Sequence, residues 1–308
     1  MDNLSETIKK YAATIGFDAC GFCCSDVVDD NTQKHFKQWL SDGYQADMNY
    51  MTSYQEIRIN PSLLTENAKS IICVALNYYP DKKQHSENPQ IAYYAYGKDY
   101  HDVMKHKLYQ LLNQIKELDP SIEGRAFCDT APILERHWAA QSGIGFIGKN
   151  SMLIIPKKGS FFFLGELIIN KELEYDTPIK LSCGNCSRCM DACPTKAIEK
   201  PHTINSNKCI SYQTIENRNE IDSEIAPLLN NCVYGCDICQ KVCPWNKFSS
   251  PNHIPEFTPS QDFLDLNYEK LNNLSEDEYR SIFKGSAVKR AKYTGLKRNI
   301  EALCQKKK

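Results

Sequence analysis

Nine of the 15 cysteines in this chain of 308 residues lie between Cys183 and Cys243, at short and repeated spacings. Thiols two or three residues apart are typical ligands of a metal ion or an iron–sulfur cluster. The first residues of the chain alternate charged and apolar positions and lack the apolar run of a secretory signal, so oxidised disulfides are not expected. The pattern therefore predicts reduced, metal-binding thiols in a cytoplasmic protein.

The run CGNCSRCMDACP at 183–194 has the cysteine spacing with which bacterial ferredoxins bind cubane [4Fe-4S] clusters. In that arrangement three close thiolates bind one cluster, and the fourth, next to the proline, binds the other. A second copy, CDICQKVCP at 236–244, lacks its first cysteine because Val233 occupies that place. Two clusters are predicted, and one ligand must come from elsewhere.

The crossed pattern divides the thiols into two sets. Cys183, Cys186, Cys189 and Cys243 bind the first cluster, and Cys193, Cys236 and Cys239 bind the second. The last ligand is Cys209, in a loop that can fold back, or Cys232, one residue from the usual spacing; we favour Cys209. A zinc ribbon or structural thiols are the alternatives, but zinc needs only four ligands and leaves the doubled motif unexplained.

The elements that position these thiols are of mixed type. Helical spacing predicts helices at 4–15, 35–40, 101–118, 131–142, 275–283 and 288–304. Branched and aromatic runs predict strands at 18–22, 69–79 and 125–128, and a hairpin of 152–155 with 160–170. Helices and strands do not alternate regularly, so an α+β fold is predicted.

Asp129 stands at the end of a predicted strand, just before a predicted helix. An aspartate there is most often a helix cap, and Asp129 or Thr130 can fill that role. A functional interpretation makes Asp129 a buried acid whose raised pKa lets it donate a proton. His101, His106 and His137 are weaker candidates, because a histidine more often lies on the surface or is satisfied in the core.

Glycines at 143, 145 and 148 match a dinucleotide fingerprint, and the lysine that follows nearly completes a phosphate loop. Both motifs need a strand before them and a helix after them, whereas the order here is reversed. We therefore reject both. The glycines mark a tight turn, either where backbone approaches a bulky ligand closely or simply between a helix and a strand.

The C-terminal end of the chain is basic. Residues 284–308 contain nine Lys or Arg and one acid, Glu301, although the net charge of the whole chain is −1. A solvated helix face is the ordinary interpretation of such a segment. The same clustering of cations is what contacts to nucleic-acid phosphates require.

Taken together, several of these runs resemble one family. They are YAYGKDYH at 94–101, DTAPILER at 129–136, GFIGKNS at 145–151, the two cysteine motifs and GSAVKRAKYTGLKRN at 285–299. They resemble epoxyqueuosine reductase, the cobalamin-dependent family of queuosine tRNA modification, over nearly the whole chain. His137 stands where the family commonly has an acid, and Cys232 is not expected at its position; the sequence assigns neither a role.

The resemblance implies an α+β fold in three parts. Residues 1–172 would form a nitroreductase-like, cobalamin-binding catalytic domain, and 173–250 a bacterial-ferredoxin-like domain with two [4Fe-4S] clusters. Residues 251–308 would form a linker and a basic helical segment that packs on the catalytic domain and contacts tRNA. Electrons would pass through the clusters to cobalt and reduce epoxyqueuosine to queuosine at the wobble position of the anticodon.

The resemblance also assigns residues. Asp129 matches the family's proton donor, and Cys209 matches its remote cluster ligand. The positions implied for cobalamin are Arg58, Asp129, Leu153, Leu164, Gly165, Glu166, Ile210, Ser211, Tyr212 and Gln213. Those implied for tRNA are Lys289, Arg290, Lys292, Lys297 and Arg298.

The expected partners are tRNA carrying epoxyqueuosine in its anticodon stem-loop and an external electron donor such as ferredoxin or flavodoxin. A monomer without membrane association is expected.

Two other functions fit the cysteine motifs. One is a cobalamin-dependent reductase of a small molecule, similar to reductive dehalogenases, which usually carry an export signal. The other is a ferredoxin-like electron-transfer module that catalyses nothing.

Overall fold

The computed structural model describes residues 4–305, and its first half combines helices with one antiparallel sheet. The elements are α1 (Leu4–Ile15), β1 (Ala19–Cys24), α2 (Asp30–Ser41), α3 (Gln55–Ile59), β2 (Ser70–Asn77), β3 (Gln90–Ile91), α4 (Tyr100–Leu118), β4 (Gly124–Phe127), α5 (Glu135–Gln141), β5 (Phe146–Ile147), β6 (Leu153–Ile154) and β7 (Phe162–Ile169). The predicted helices at 4–15 and 101–118 are confirmed, and the one at 35–40 begins earlier.

The main sheet has the strand order β1-β2-β7-β4, with every neighbouring pair antiparallel. All eight residues of β2 are buried, which agrees with the branched and aromatic run that predicted a central strand. One face of the sheet packs against α1 and α4, and the other packs against α5. The sheet therefore holds the ends of α4 and β4, where His101 and Asp129 lie.

The second half consists of short elements. They are α6 (Arg188–Asp191), β8 (Ile198–Lys200), β9 (Thr203–Ile204), α7 (Ile210–Ile215), β10 (Cys232–Tyr234), α8 (Ile238–Lys241), α9 (Gln261–Leu264), α10 (Tyr268–Asn272), α11 (Glu276–Ile282) and α12 (Lys292–Gln305). The predicted helix at 288–304 is divided, because a 3₁₀ turn precedes α12 and Lys292 has a positive φ of 60°. Lys306, Lys307 and Lys308, counted in the basic end, lie outside the described residues.

One apolar core connects the two halves. Strand β10 pairs in parallel with β3, and Tyr234, Phe283 and Leu296 belong to the same buried cluster as Ile8 and Leu108. The boundaries at 172/173 and 250/251 stay predictions. The structure adds that the three predicted parts pack on a shared core.

The predicted helix at 131–142 begins only at Glu135. Leu134 is its N-cap, without a side-chain hydrogen bond, so the interpretation of Asp129 or Thr130 as a cap is wrong. Pro132 explains the late start, because the residue before a proline is disfavoured in helical conformation. Residues 128–134 form a loop instead, and Asp129 adopts a left-handed conformation in it, with φ of 57°.

The predicted hairpin of 152–155 with 160–170 is also wrong. Strand β6 pairs with β5, whereas β7 lies between β2 and β4, and a single bridge between Ile155 and Gly159 joins the two segments. A long strand between two partners satisfies the hydrogen-bonding groups on both of its edges. A Cβ on Gly145 would lie 2.5 Å from the Ile154 carbonyl oxygen, so this glycine allows β5 and β6 to pair.

None of the helices within residues 4–305 is both long enough and apolar enough to cross a bilayer.

Candidate active site and cluster ligands

The thiols predicted for the first cluster lie close enough to influence one another's ionisation. Burial raises the pKa of Cys189, and the nearby thiols of Cys183 and Cys243 raise it further. Burial also raises the pKa of Cys243, as do the thiols of Cys183 and Cys186. Cys243 of the second motif thus joins the three thiols of the first, which supports the crossed ligand set.

The thiols predicted for the second cluster form another group. Burial raises the pKa of Cys209 to about 11, with further contributions from Cys236 and Cys193. Burial raises the pKa of Cys239 well above its ordinary value, and the thiols of Cys236 and Cys209 raise it further. Thiols that oppose one another's ionisation fit a cluster well, because bound iron ions supply the positive charge that keeps thiolates deprotonated.

Cys232 is buried in β10 and hydrogen-bonds with Cys236. Its Sγ atom also lies 3.8 Å from the Asn230 carbonyl oxygen. Cys209, by contrast, interacts with Cys193, Cys236 and Cys239, which are the other three members of the set. The geometry supports Cys209 as the eighth ligand, and this assignment stays a prediction.

Asp129 contacts Glu135 through its backbone and His101 through its side chain. Its backbone N–H donates to the Glu135 carboxylate, which holds the loop before α5. Its own carboxylate oxygen Oδ2 lies 3.0 Å from Nε2 of His101. The other ring nitrogen of His101, Nδ1, lies 2.7 Å from Oδ1 of Asp99, the N-cap residue of α4. The histidine is thus held between two aspartates.

This arrangement decides where the proton resides. Burial raises the pKa of Asp129, but hydrogen bonds from His101 and Tyr100 and the charge of His101 outweigh it, so the pKa lies below its ordinary value. Burial lowers the pKa of His101, but hydrogen bonds to Asp129 and Asp99 raise it to about 9. The prediction that Asp129 is a buried acid with a raised pKa is therefore corrected: its side chain is 55% exposed, and at neutral pH the proton of this pair is on His101.

A second group of polar residues lies near Asp129. Glu216 accepts two hydrogen bonds from Arg290, both of 2.8 Å, and the charge of Arg290 lowers the pKa of Asp129. Burial and the charges of Glu216 and Asp129 raise the pKa of Tyr50 to about 12, although the charges of Arg290 and Arg58 oppose this rise. The sequence implied separate roles for Arg290 and Arg58 and did not single out Glu216 or Tyr50, because only the fold brings these distant segments together.

Helix α7 connects this region to the second thiol group. It follows Cys209 directly and ends one residue before Glu216, the partner of Arg290. Six helical residues span about 9 Å. Cys209, a predicted ligand of the second cluster, and the Glu216–Arg290 ion pair thus lie at opposite ends of one short helix.

Several buried polar atoms in this region have no partner within the described residues. They are both carboxylate oxygens of Glu166, Nε of Arg58 and Nε1 of Trp138. Burial raises the pKa of Glu166 well above its ordinary value, so it is a neutral carboxyl with one donor and acceptor capacity. Unpaired buried polar atoms are costly, and a corrin ring edged with amide groups supplies suitable partners. Arg58 and Glu166 therefore fit the predicted cobalamin contact.

The other positions implied for cobalamin differ in their fit. Leu153 and Leu164 pack on the same face of the sheet as α5 and can form an apolar wall. Gly165 is directed the other way: a Cβ there would lie 2.8 Å from Met104 and 3.0 Å from Leu108, both on α4. The absence of a side chain at Gly165 serves the packing of α4, and its implied cobalamin contact stays a prediction.

Three of the four implied positions on α7 have internal partners. Ile210 lies in the core, and the hydroxyl of Tyr212 donates to the Asp47 carboxylate at 3.0 Å. The Gln213 amide donates to the carbonyl of Asn207 at 2.7 Å. Ser211 is half-buried. For Ile210, Tyr212 and Gln213, the structure assigns the side chains to the fold.

The basic end contains both structural and free cations. All five guanidinium donors of Arg298 are used, by the carbonyls of Gln213, Asn217 and Asn219 and by the side chain of Asn299. Lys297 donates to the Asn272 carbonyl at 2.8 Å. The prediction that Arg298 contacts tRNA is therefore corrected, because its side chain fixes α12 to α7. Lys289 and Lys292 are exposed.

Comparisons with known proteins agree with these features. The family model described as "Epoxyqueuosine reductase QueG, DUF1730" matches residues 58–130, and "4Fe-4S double cluster binding domain" matches 182–246. The chain is 44% identical over 299 residues to an epoxyqueuosine reductase of Cellulophaga algicola, covering 97% of each protein.

Solved structures give the same result. An epoxyqueuosine reductase crystallised with an epoxyqueuosine-modified tRNA stem loop superposes with a TM-score of 0.91 at 32% identity, covering 98% of this chain and 81% of that one. A catabolic reductive dehalogenase shares the fold, with a TM-score of 0.51 at 14% identity, covering 97% of this chain and 38% of that one. The predicted fold class is confirmed.

Proposed function

The chain belongs to the epoxyqueuosine reductase family, and we propose that it reduces epoxyqueuosine to queuosine at the wobble position of tRNA. Family membership confirms the predicted enzyme class, an oxidoreductase, and the predicted cofactors, two [4Fe-4S] clusters and cobalamin. The observation that carries the proposal is that α7 links Cys209 to the Asp129–His101 pair: Cys209 directly precedes the helix, Glu216 just after it pairs with Arg290, and the charge of Arg290 acts on Asp129.

The reaction requires two electrons and two protons. The epoxide accepts them, its oxygen leaves as water, and the two carbons that carried the oxygen become a double bond. When bound, cobalamin supplies the reducing metal centre for this step. Arg58 and Glu166 would hold its amide groups, and the eight thiols would hold the clusters that deliver the electrons one at a time.

The chain's own residues supply a proton. Asp129 stands next to the reacting group in this proposal, and His101 holds a proton 3.0 Å from its carboxylate. As negative charge develops on the epoxide oxygen, Asp129 passes on the proton that it receives from His101. Asp99 stabilises the charged histidine before the transfer and fixes its ring. The pair thus works as one acid.

The tRNA contact follows from the positions of the free cations. Lys289 and Lys292 are exposed on the segment that also carries Arg290, whose charge acts on Asp129. A phosphate backbone bound by these lysines would place a splayed anticodon base near the acid pair. Arg290 would face the substrate while it stays paired with Glu216.

We further propose a cytoplasmic monomer that receives electrons from a ferredoxin or a flavodoxin. All 15 cysteines are free thiols in the structure, which suits a reducing compartment. Low-potential one-electron carriers match clusters that pass single electrons.

The reaction is tested with protein that has been reconstituted without oxygen and given a chemical reductant. We expect it to convert epoxyqueuosine in tRNA to queuosine, detected by mass spectrometry of the released nucleosides. A protein that bound corrinoid and removed halide from aryl halides, with the tRNA unchanged, would be a dehalogenase. A protein without corrinoid that left both substrates unchanged would be an electron-transfer module.

The acid pair predicts a specific pH dependence. The raised pKa of His101 means that the charged histidine stabilises the fold fully below pH 6.5, and that this contribution is lost as pH rises through about 9. The proton supply is lost over the same range, so the rate of queuosine formation should fall there. In His101→Gln, we expect a lower rate and neither the fall in rate nor the fall in melting temperature near pH 9. An unchanged pH profile in this variant would contradict the role of His101.

A further inference from the structure

Three chain segments meet around the first thiol group. The Nζ atom of Lys149 donates to the Gly184 carbonyl at 2.7 Å, next to Cys183. The turn after β6 contacts the segment after Cys243, because the Ser160 N–H donates to the Asn246 side chain at 2.6 Å. The rings of Phe146 and Trp245 lie 5.3 Å apart. Residues 145–160, 180–196 and 241–250 therefore form one surface.

This surface is strongly cationic. The three segments contain eight Lys or Arg and one acid, Asp191, in a chain whose net charge is −1. Four of the cations lie close to cluster ligands and define what we call the cationic rim: Lys149, Lys180, Arg188 and Lys247. Lys180, Arg188 and Lys247 are exposed. Because Asp191 is the one acid of these segments, the rim presents a positive field that is only partly compensated.

Two large apolar side chains are exposed on the same segments. Leu181 is 47% exposed and lies two residues before Cys183, and Phe248 is 44% exposed and follows Lys247. Apolar contacts surrounded by charges are the usual composition of a protein–protein interface. RNA, by contrast, is bound by several aromatic rings on which successive bases stack, whereas Phe248 is the single aromatic side chain among the exposed large apolar residues of these three segments.

The two thiol groups differ in their access to solvent. Around Cys183 and Cys186, the residues at 181, 182, 184, 185, 187 and 188 are all exposed. Cys209, in contrast, lies between exposed Lys208 and buried Ile210, and Cys236 lies between buried Gly235 and Asp237. The first group is therefore the outer one, and the second includes Cys209, which directly precedes α7.

We propose that the cationic rim is the docking surface for an acidic one-electron carrier protein, which delivers its electrons to the cluster held by Cys183, Cys186, Cys189 and Cys243. The proposal rests on the proposed function and extends it to the donor. Each reduced carrier transfers one electron to this cluster, so the carrier is oxidised and the cluster is reduced. Two carriers supply the two electrons that epoxide reduction consumes, and the electrons leave through the second cluster.

The test measures cluster reduction directly. The reconstituted protein is mixed with reduced flavodoxin, an acidic carrier, and the loss of the clusters' visible absorption is followed with time. The double variant Arg188→Glu with Lys247→Glu should be reduced about tenfold more slowly than the wild type at low salt. Added salt should narrow the difference in rate between the two proteins. Reduction by dithionite should keep its wild-type rate, and the iron content should be unchanged. If charge reversal prevents folding, Arg188→Gln with Lys247→Gln replaces it as the test variant, and a smaller decrease in the rate of cluster reduction is expected.

Lys289→Glu with Lys292→Glu is the matched control, because it makes the same charge change on the basic end. This control should weaken tRNA binding and leave reduction by flavodoxin unchanged. The proposal is overturned if the rim variant is reduced by flavodoxin at the wild-type rate. It is equally overturned if the rim variant loses tRNA affinity instead, since the surface would then belong to RNA. Neither readout needs epoxyqueuosine turnover, so failure here is distinct from failure of the proposed reaction.

Discussion

Asp129→Asn should lower the rate of queuosine formation by about 10²–10⁴-fold, the range expected when a positioned acid is removed. The amide cannot relay a proton from His101, although it can still accept a hydrogen bond from it. Asparagine also tolerates the left-handed conformation that residue 129 adopts, with φ of 57°. The loop should therefore keep its shape, which makes this variant a better test than alanine.

The measurement is nucleoside mass spectrometry under single-turnover conditions with excess chemical reductant. Corrinoid and iron contents should match the wild type, which separates a loss of chemistry from a loss of cofactor. Asp119→Asn is a suitable control, because Asp119 lies at the end of α4 and pairs with Lys171, away from the site. If Asp129→Asn turned over at the wild-type rate, Asp129 would only shape the loop.

Cys209→Ser should remove one ligand of the second cluster. We expect the iron content to fall from about eight to about four atoms per chain, because each cubane cluster contains four irons. Electron flow to the corrinoid should stop, since the remaining outer cluster is separated from α7. The expected result is a protein that dithionite reduces by about one electron at its clusters and that forms no queuosine.

Cys232→Ser is the matched control, with the same chemical change at a neighbouring thiol of Cys236. It should keep about eight irons per chain, because Cys232 belongs to the core strand β10. Iron analysis and electron paramagnetic resonance of the reduced proteins distinguish the two variants. If Cys232→Ser lost a cluster and Cys209→Ser kept both, the assignment of the eighth ligand would be reversed.

The sequence predicted what local spacing controls. The two cysteine motifs bring thiols together within one turn or loop, so two clusters could be predicted from spacing alone. The crossed ligand Cys243 and the remote ligand Cys209 come from other segments, and these assignments stay predictions. Helix α4 was predicted because burial on one side imposes a period on its residues. Strand β2 was predicted because burial on both faces selects a continuous run of branched and aromatic residues. The position of Asp129 at the end of a strand was also correct, although its role as a helix cap was not.

The tertiary structure decided what depends on distant partners. Strand β7 was predicted from its own residues, but its pairing was not, because its partners β2 and β4 are remote in sequence. Arg298 and Lys292 are both cations in the same segment of the sequence. In the fold, Arg298 donates to backbone carbonyls near α7, whereas Lys292 is exposed. The same holds for Gly165, whose role is set by the approach of α4.

The electrostatics of the acid pair show this division most clearly. The sequence by itself determined that an aspartate, a histidine and two sets of thiols are present, since residue type and spacing are local properties. Only the fold determined that His101 lies between Asp99 and Asp129, and that the proton therefore rests on the histidine. A pKa depends on burial and on charges a few ångströms away, and those neighbours come from separate segments of the chain.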